Sequence, residues 1–168
     1  MASNDSLLIW EAEMGTPPAS SYANIYSRNP TDPHYVLAYG DSVDVYRIFT
    51  GIMPLNYDGG GVTLYLHYAM ATAIAGEVIW QAAFERIGNE QQDIDSSGFG
   101  SYKQTSALTV PTTAGLVDIV SLSFSSGAEM DNVAEGEGFR IKLGRYGTHG
   151  DDDASGDAHL WMIEMRES

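Results

Sequence analysis

Four aspartates and two histidines fall within eleven residues of the stretch HGDDDASGDAHLW, residues 149–161. Carboxylates at that density could hold a hard cation. A calcium loop of the EF-hand type needs oxygen ligands at its first, third and fifth positions, glycine at the sixth and a bidentate glutamate at the twelfth. Counting from Asp151, this chain supplies Asp151, Asp153, Ser155 and Gly156, but the twelfth position is Met162. Asp151, Asp153 and Asp157 are thus candidates for weak calcium binding only. The prevailing expectation is a solvated hairpin tip, because runs of charge usually face water. His149 and His159 lie ten apart, His34 and His67 stand alone, and no spacing gathers the three or four ligands that zinc requires. No cofactor is expected.

Two other chemistries can be weighed from residue types. Glu77 and Glu85 fall an even number of residues apart in EVIWQAAFERI and could form a glycosidase carboxylate pair. The opposite parity carries Trp80 and Phe84, so the two carboxylates are expected to face solvent or another subunit. The chain contains no G-x-S-x-G, and DGGGV lacks the GK[ST] ending of a phosphate loop. It has no cysteine, which excludes thiol nucleophiles and cysteine-held metals. No catalytic residue is assigned, and a non-enzyme is expected. The early tyrosines Tyr22, Tyr26, Tyr35, Tyr39, Tyr46, Tyr57, Tyr65 and Tyr68 could stack on sugars, as in carbohydrate-binding modules, or form a protein interface.

The elements that must position these residues read as strands. VTLYLHY (62–68) alternates Val62, Leu64, Leu66 and Tyr68 against Thr63, Tyr65 and His67. EVIWQAAFERI (77–87), GFRIKLGRY (138–146) and DAHLWMIEMRES (157–168) alternate likewise. In the last, Leu160 and Met162 are read inward and Trp161, Ile163 and Met165 outward. LLIWEAE, HYVLAY, VDVYRIF, QTSALTV and LVDIVSLSF complete the set, divided by turn-rich breaks. The expected fold is all-β: one antiparallel β-sandwich of about eight strands with jelly-roll topology, spanning 1–168. Its core should hold Leu64, Leu66, Val78, Trp80, Phe84, Val120, Phe139, Ile141, Leu143, Leu160 and Met162. Residues 1–35 are expected to form an N-terminal strand and an extended arm. Tyr22, Tyr26, Arg28, Tyr35 and Tyr46 are its candidate interface residues.

Charge narrows the partners. Eight Lys and Arg stand against 23 Asp and Glu, for a formal net charge of −15 over 168 residues. The cations are scattered, so neither nucleic acid nor an anionic membrane surface is an expected partner. The opening MASND carries no positive charge, so no secretory leader is expected.

From about residue 36 onward the chain resembles a known family. GIMPLNYDGGGVTLYLHYAMATAIAGEVIWQAAFERI, then QDID, GFRIKLGRYG and GDAHLWMIEMRE are similar to small jelly-roll virion structural proteins of tailed bacteriophages, the cement or decoration proteins. The chain departs from that pattern near Tyr68, where a tryptophan would be expected. The resemblance implies a capsid decoration protein that binds the major capsid protein and itself. It would form a homotrimer on the outer surface of the phage head and carry no catalytic residue. A carbohydrate-binding module, or a tail- or fibre-associated module on the same scaffold, is the alternative.

Overall fold

The period-two segments pair into antiparallel ladders, because each has one apolar face that only a second sheet can cover. The computed structural model describes residues 5–168; residues 1–4, the start of the expected N-terminal strand and arm, lie outside it. The strands are β1 (Ser6–Glu11), β2 (Asn24–Arg28), β3 (His34–Tyr39), β4 (Val45–Ile52), β5 (Val62–Met70), β6 (Glu77–Val78), β7 (Trp80–Ile87), β8 (Lys103–Gln104), β9 (Leu108–Thr109), β10 (Val117–Phe124), β11 (Gly138–Arg145) and β12 (Ala158–Glu167). One sheet runs β10-β5-β12-β3-β2, with β1 joining β12; the other runs β4-β11-β7-β8. The short β6 and β9 pair separately. The result is an all-β, antiparallel sandwich of jelly-roll type.

The core lies between the sheets. From β5 it takes Val62, Leu64, Leu66 and Tyr68, and from β7 and β11 it takes Trp80, Ala82, Phe84, Phe139, Ile141 and Leu143. Phe84 meets Phe124 edge-on at 4.9 Å between ring centroids, and Trp80 meets Tyr39 at 5.2 Å. Large apolar side chains buried in this way each contribute about 1.5–3 kcal/mol. Trp10 on β1 donates its indole N–H to the carbonyl of Thr50 on β4 at 3.0 Å, tying one sheet to the other.

Three expectations need correction. Met162 is not a core residue. Along β12, Leu160 pairs with Tyr68 while Met162 pairs with the adjacent His67, so one extra residue is inserted at a β-bulge. Beyond it the parity reverses, and Ile163 and Met165 point inward. Next, residues 149–157 are not a hairpin tip, since β11 and β12 belong to different sheets and this segment crosses between them. Finally, Glu85 does not face solvent. It is fully buried, accepts a hydrogen bond from Ser97 Oγ at 2.6 Å and pairs with Arg140. The 88–102 loop, docked by the Gly100 N–H on the carbonyl of Phe84, covers that face of β7.

The 15–33 segment is stitched to both sheets. Strand β2 pairs with β3, and before it Thr16 and Tyr22 bridge to Ile48 and Tyr46 of β4. Buried Arg47 fastens the stretch from below, donating to the carbonyls of Ala23 at 2.7 Å and Gly15 at 3.0 Å.

On the outer face of β11, the Tyr46 ring lies over Gly144. A Cβ at Gly144 would come within 2.5 Å of that ring and 2.7 Å of the Val45 carbonyl. Gly144→Ala is therefore expected to lower stability by about 1–3 kcal/mol, the cost of overpacking. Thermal unfolding of this variant alone and with Tyr46→Ala checks it, since removing the ring should restore part of the loss.

Candidate functional site

The bulge that displaces Met162 also displays Trp161. It sits where β12 changes neighbours, from β3 over Ala158–Leu160 to β1 from Met162 onward. Bulges are used in this way to re-aim a side chain beside a binding site. Trp161 stands 40% exposed on the outer face of the larger sheet, a large surface to leave in water. His34 of β3 meets it edge-on, with ring centroids 6.5 Å apart and an interplanar angle of 88°.

Beside this pair lies a groove of about 460 Å³, within the range of small-ligand sites. Val36, Ala69 and His159 form its floor and are buried. Arg28 and Asn29 at the end of β2 form one wall, Trp161 and His34 a second, and Gly115 and Val117 at the start of β10 a third. Tyr26 of β2, half-exposed, stacks on the His159 ring at 5.1 Å. The floor is apolar except for the His159 ring, and the rim carries polar heads and aromatic faces.

Arg28 shows that this face is hollow. Between β2 and β5 lie β3 and β12, and three strand steps on a flat sheet span roughly 14 Å. Arg28 nevertheless brings Nη1 to 3.3 Å from the Met70 carbonyl on β5 and to 3.2 Å from His159 Nδ1. Its Nη2 lies 3.1 Å from where a Cβ on Gly115 would stand. The sheet must curl for one side chain to reach that far. Gly115, at φ +88°, keeps the opposite wall open.

His159 is neutral in this setting. Burial pushes its pKa below the ordinary 6.5; the Arg28 charge acts in the same direction, and Asp157 opposes them. A neutral ring accepts the Arg28 hydrogen bond at Nδ1 and keeps Nε2–H as a donor. With the folded pKa below the unfolded one, the unfolded chain takes up this proton first as pH falls. Stability is therefore lost from about pH 6.5 down to the folded pKa, and is unaffected above. Melting temperatures of wild type and His159→Gln between pH 7.5 and 5.5 should converge with falling pH, and the His159 NMR titration should have its midpoint below 6.5.

A smaller hollow of about 190 Å³ lies on the far side of the Trp161–His34 pair. Those two residues line both hollows, and Glu11, Glu13, Tyr35 and Met162 line only the smaller.

The candidate interface residues divide accordingly. Arg28 lines the groove, Tyr26 packs against the His159 ring of its floor, and Tyr35 lines the smaller hollow. Tyr22 and Tyr46 lie elsewhere: Tyr22 under the Arg47 guanidinium, and Tyr46 on the second sheet, 5.5 Å from Tyr102. The calcium candidates do not converge, and no group of three or more His, Asp or Glu side chains placed to hold a metal occurs among the described residues. Asp153 accepts the Glu77 N–H at 2.8 Å, while Asp151 is exposed. Asp152, which calcium spacing passes over, is buried against Arg145 at 2.6 Å. Glu77 and Glu85 form no pair either, since one is in the β6–β9 ladder and the other in the β7–β11 ladder.

Sequence reasoning missed Trp161, Asn29, His34 and His159 as a group. A signal for the first was present. Leu160-Trp161-Met162-Ile163 is four apolar residues in succession, which strict alternation cannot accommodate.

No family model and no curated protein matches the chain. Solved structures do. The chain is similar to the CBM22-1 xylan-binding domain from Paenibacillus barcinonensis, at TM-score 0.53 and 12% identity, covering 99% of this chain and 97% of that one. It is similar to a carbohydrate-binding module of a Cellvibrio mixtus lichenase solved with cellotriose, at TM-score 0.51 and 12% identity, covering 98% and 99%. A family 35 carbohydrate-binding module from an environmental isolate gives TM-score 0.51 and 13% identity, covering 95% and 92%. At such identities the likeness shows the fold. It also overturns the expectation of phage capsid decoration. The resemblance to virion proteins extends to a jelly-roll scaffold and no further, and the capsid partner, homotrimer and virion location that it implied have no support of their own.

Proposed function

We propose that this chain is a carbohydrate-binding module that holds a glycan in the groove of its larger sheet and does not cleave it. The observation that carries the reading is Trp161, lifted by a bulge onto the wall of a hollow whose rim also presents Arg28, Asn29 and His34. A pyranose ring has an apolar face of C–H bonds and an equatorial rim of hydroxyls. An exposed indole buries the first, and fixed donors and acceptors around it bind the second. The jelly-roll structures named above support the reading, being carbohydrate-binding modules by their own descriptions. Binding without cleavage is supported by the carboxylates: Glu85 is buried in an ion pair with Arg140, and Glu77 lies in a separate ladder.

Affinity electrophoresis against a panel of soluble neutral and acidic polysaccharides tests the proposal. Retardation by at least one polysaccharide, reversed by its free oligosaccharide, is the expected result. Unaltered migration in every gel of the panel would overturn it.

A further inference from the structure

The two hollows flanking Trp161 carry opposite charge. Among the described residues, the larger is lined by Arg28 and by no carboxylate, and the smaller by Glu11 and Glu13 and by no Lys or Arg. Arg28 stands out in a chain of formal net charge −15. Arg86, Lys103, Arg140, Arg145 and Arg166 each pair with a carboxylate, buried Arg47 donates to the carbonyls of Ala23 and Gly15, and Lys142 lies over the Tyr46 and Phe99 rings; Arg28 lines the open hollow and bonds the Met70 carbonyl and a neutral imidazole nitrogen. Both of those bonds use Nη1, which leaves Nε and Nη2 as donors. Asp157 acts on His159 but does not line the hollow.

We infer that the groove selects a mixed acidic glycan, with one uronic acid residue in the Arg28 hollow and a neutral residue beyond Trp161, beside Glu11 and Glu13. This deepens the carbohydrate-binding reading and rests on it. The planar guanidinium matches a carboxylate's two oxygens, and the bond is charge-assisted in a partly desolvated hollow. His159 Nε2–H is a further donor at the floor. On the other side of the indole, two carboxylates accept hydrogen bonds from neutral hydroxyls and repel a second anion. A polyuronate, with a carboxylate on every ring, satisfies the first hollow and violates the second. The order of charges also fixes the direction in which the glycan lies across Trp161.

Affinity electrophoresis with glucuronoxylan, its carboxyl-reduced form and polygalacturonate, run beside the full panel, tests the inference. Glucuronoxylan should be retained about tenfold or more above the reduced form, and polygalacturonate should bind no better than the reduced form. In Arg28→Met the ratio of acidic to reduced ligand should fall to about one, whatever the absolute affinity. Glu11→Gln with Glu13→Gln is a second variant independent of the groove wall, and should admit polygalacturonate. Equal retention of acidic and reduced forms, or retention of neutral glycans alone, would overturn the inference and leave the carbohydrate-binding reading standing. Polygalacturonate bound as tightly by wild type as glucuronoxylan would overturn the two-hollow selection. No retention anywhere in the panel removes the reading itself, and this inference with it.

Discussion

Replacing Arg145 by alanine is expected to destabilise the fold by about 3–5 kcal/mol, the penalty for stranding one member of a buried ion pair. Both Arg145 and Asp152 are fully buried at the side chain. Nη2 and Nε donate to Asp152 at 2.6 and 3.0 Å, Nη1 donates to the Gly156 carbonyl at 2.6 Å, and Nη2 also reaches the Ala154 carbonyl. Asp152 in turn accepts the Ile79 N–H at 2.8 Å, at the break between β6 and β7. One guanidinium thus fastens the whole crossing segment between the sheets. Its removal leaves Asp152 as a buried charge and takes a donor from the buried Ala154 carbonyl and from the half-buried Gly156 carbonyl. For a domain of this size the loss is a fall in melting temperature of roughly 6–20 °C. Urea unfolding of Arg145→Ala, Asp152→Asn and a paired Arg145→Met, Asp152→Leu variant separates the causes. The paired variant should recover part of the loss because no charge is left stranded. If Arg145→Ala unfolds within about 1 kcal/mol of wild type, the pair does not hold the segment.

That pair was within reach of the sequence. The parity that buries Phe139, Ile141 and Leu143 continues to residue 145, so an arginine there must either end the strand or carry its counter-charge inside. Strands with one apolar face were legible for the same reason: burial on a pleated surface imposes a period of two. HYVLAY is β3 residue for residue. Strand β2 was not legible. It is an edge strand whose residues are mostly exposed, so no buried face writes a pattern into it.

The groove was hidden for a different reason. Its members come from β2, β3, β12 and the approach to β10, and they meet only through the sheet order, which no local spacing encodes. The aspartate run drew attention because its members are adjacent in sequence. Three-dimensionally they part: Asp152 turns inward to Arg145, Asp153 caps the Glu77 N–H and Asp151 faces water. Density along the chain was a poor guide to convergence in space. The resemblance to virion proteins failed in a related way, since turn glycines and alternating strands belong to the scaffold, which many functions share.

Trp161→Ala is expected to weaken glycan binding by about 10- to 150-fold, the loss of roughly 1.5–3 kcal/mol of apolar contact and stacking, while leaving the fold intact. The two halves of that statement rest on one geometry. Trp161 is the residue that the bulge pushes out of the core face, so Leu160, Ile163 and Met165 keep the interior filled when the indole is removed. Trp161→Phe should retain an intermediate affinity, because a smaller ring still offers a flat face. Tyr102→Ala is the control: Tyr102 is 40% exposed too, but packs against Tyr46 on the other sheet. Titration calorimetry with a retained glycan, together with melting curves, reads all three variants. Full affinity in Trp161→Ala with loss in Tyr102→Ala would move the binding face to the second sheet. Loss in Trp161→Ala at unchanged melting temperature would assign the bulge a single purpose, to turn a core-strand tryptophan into a platform.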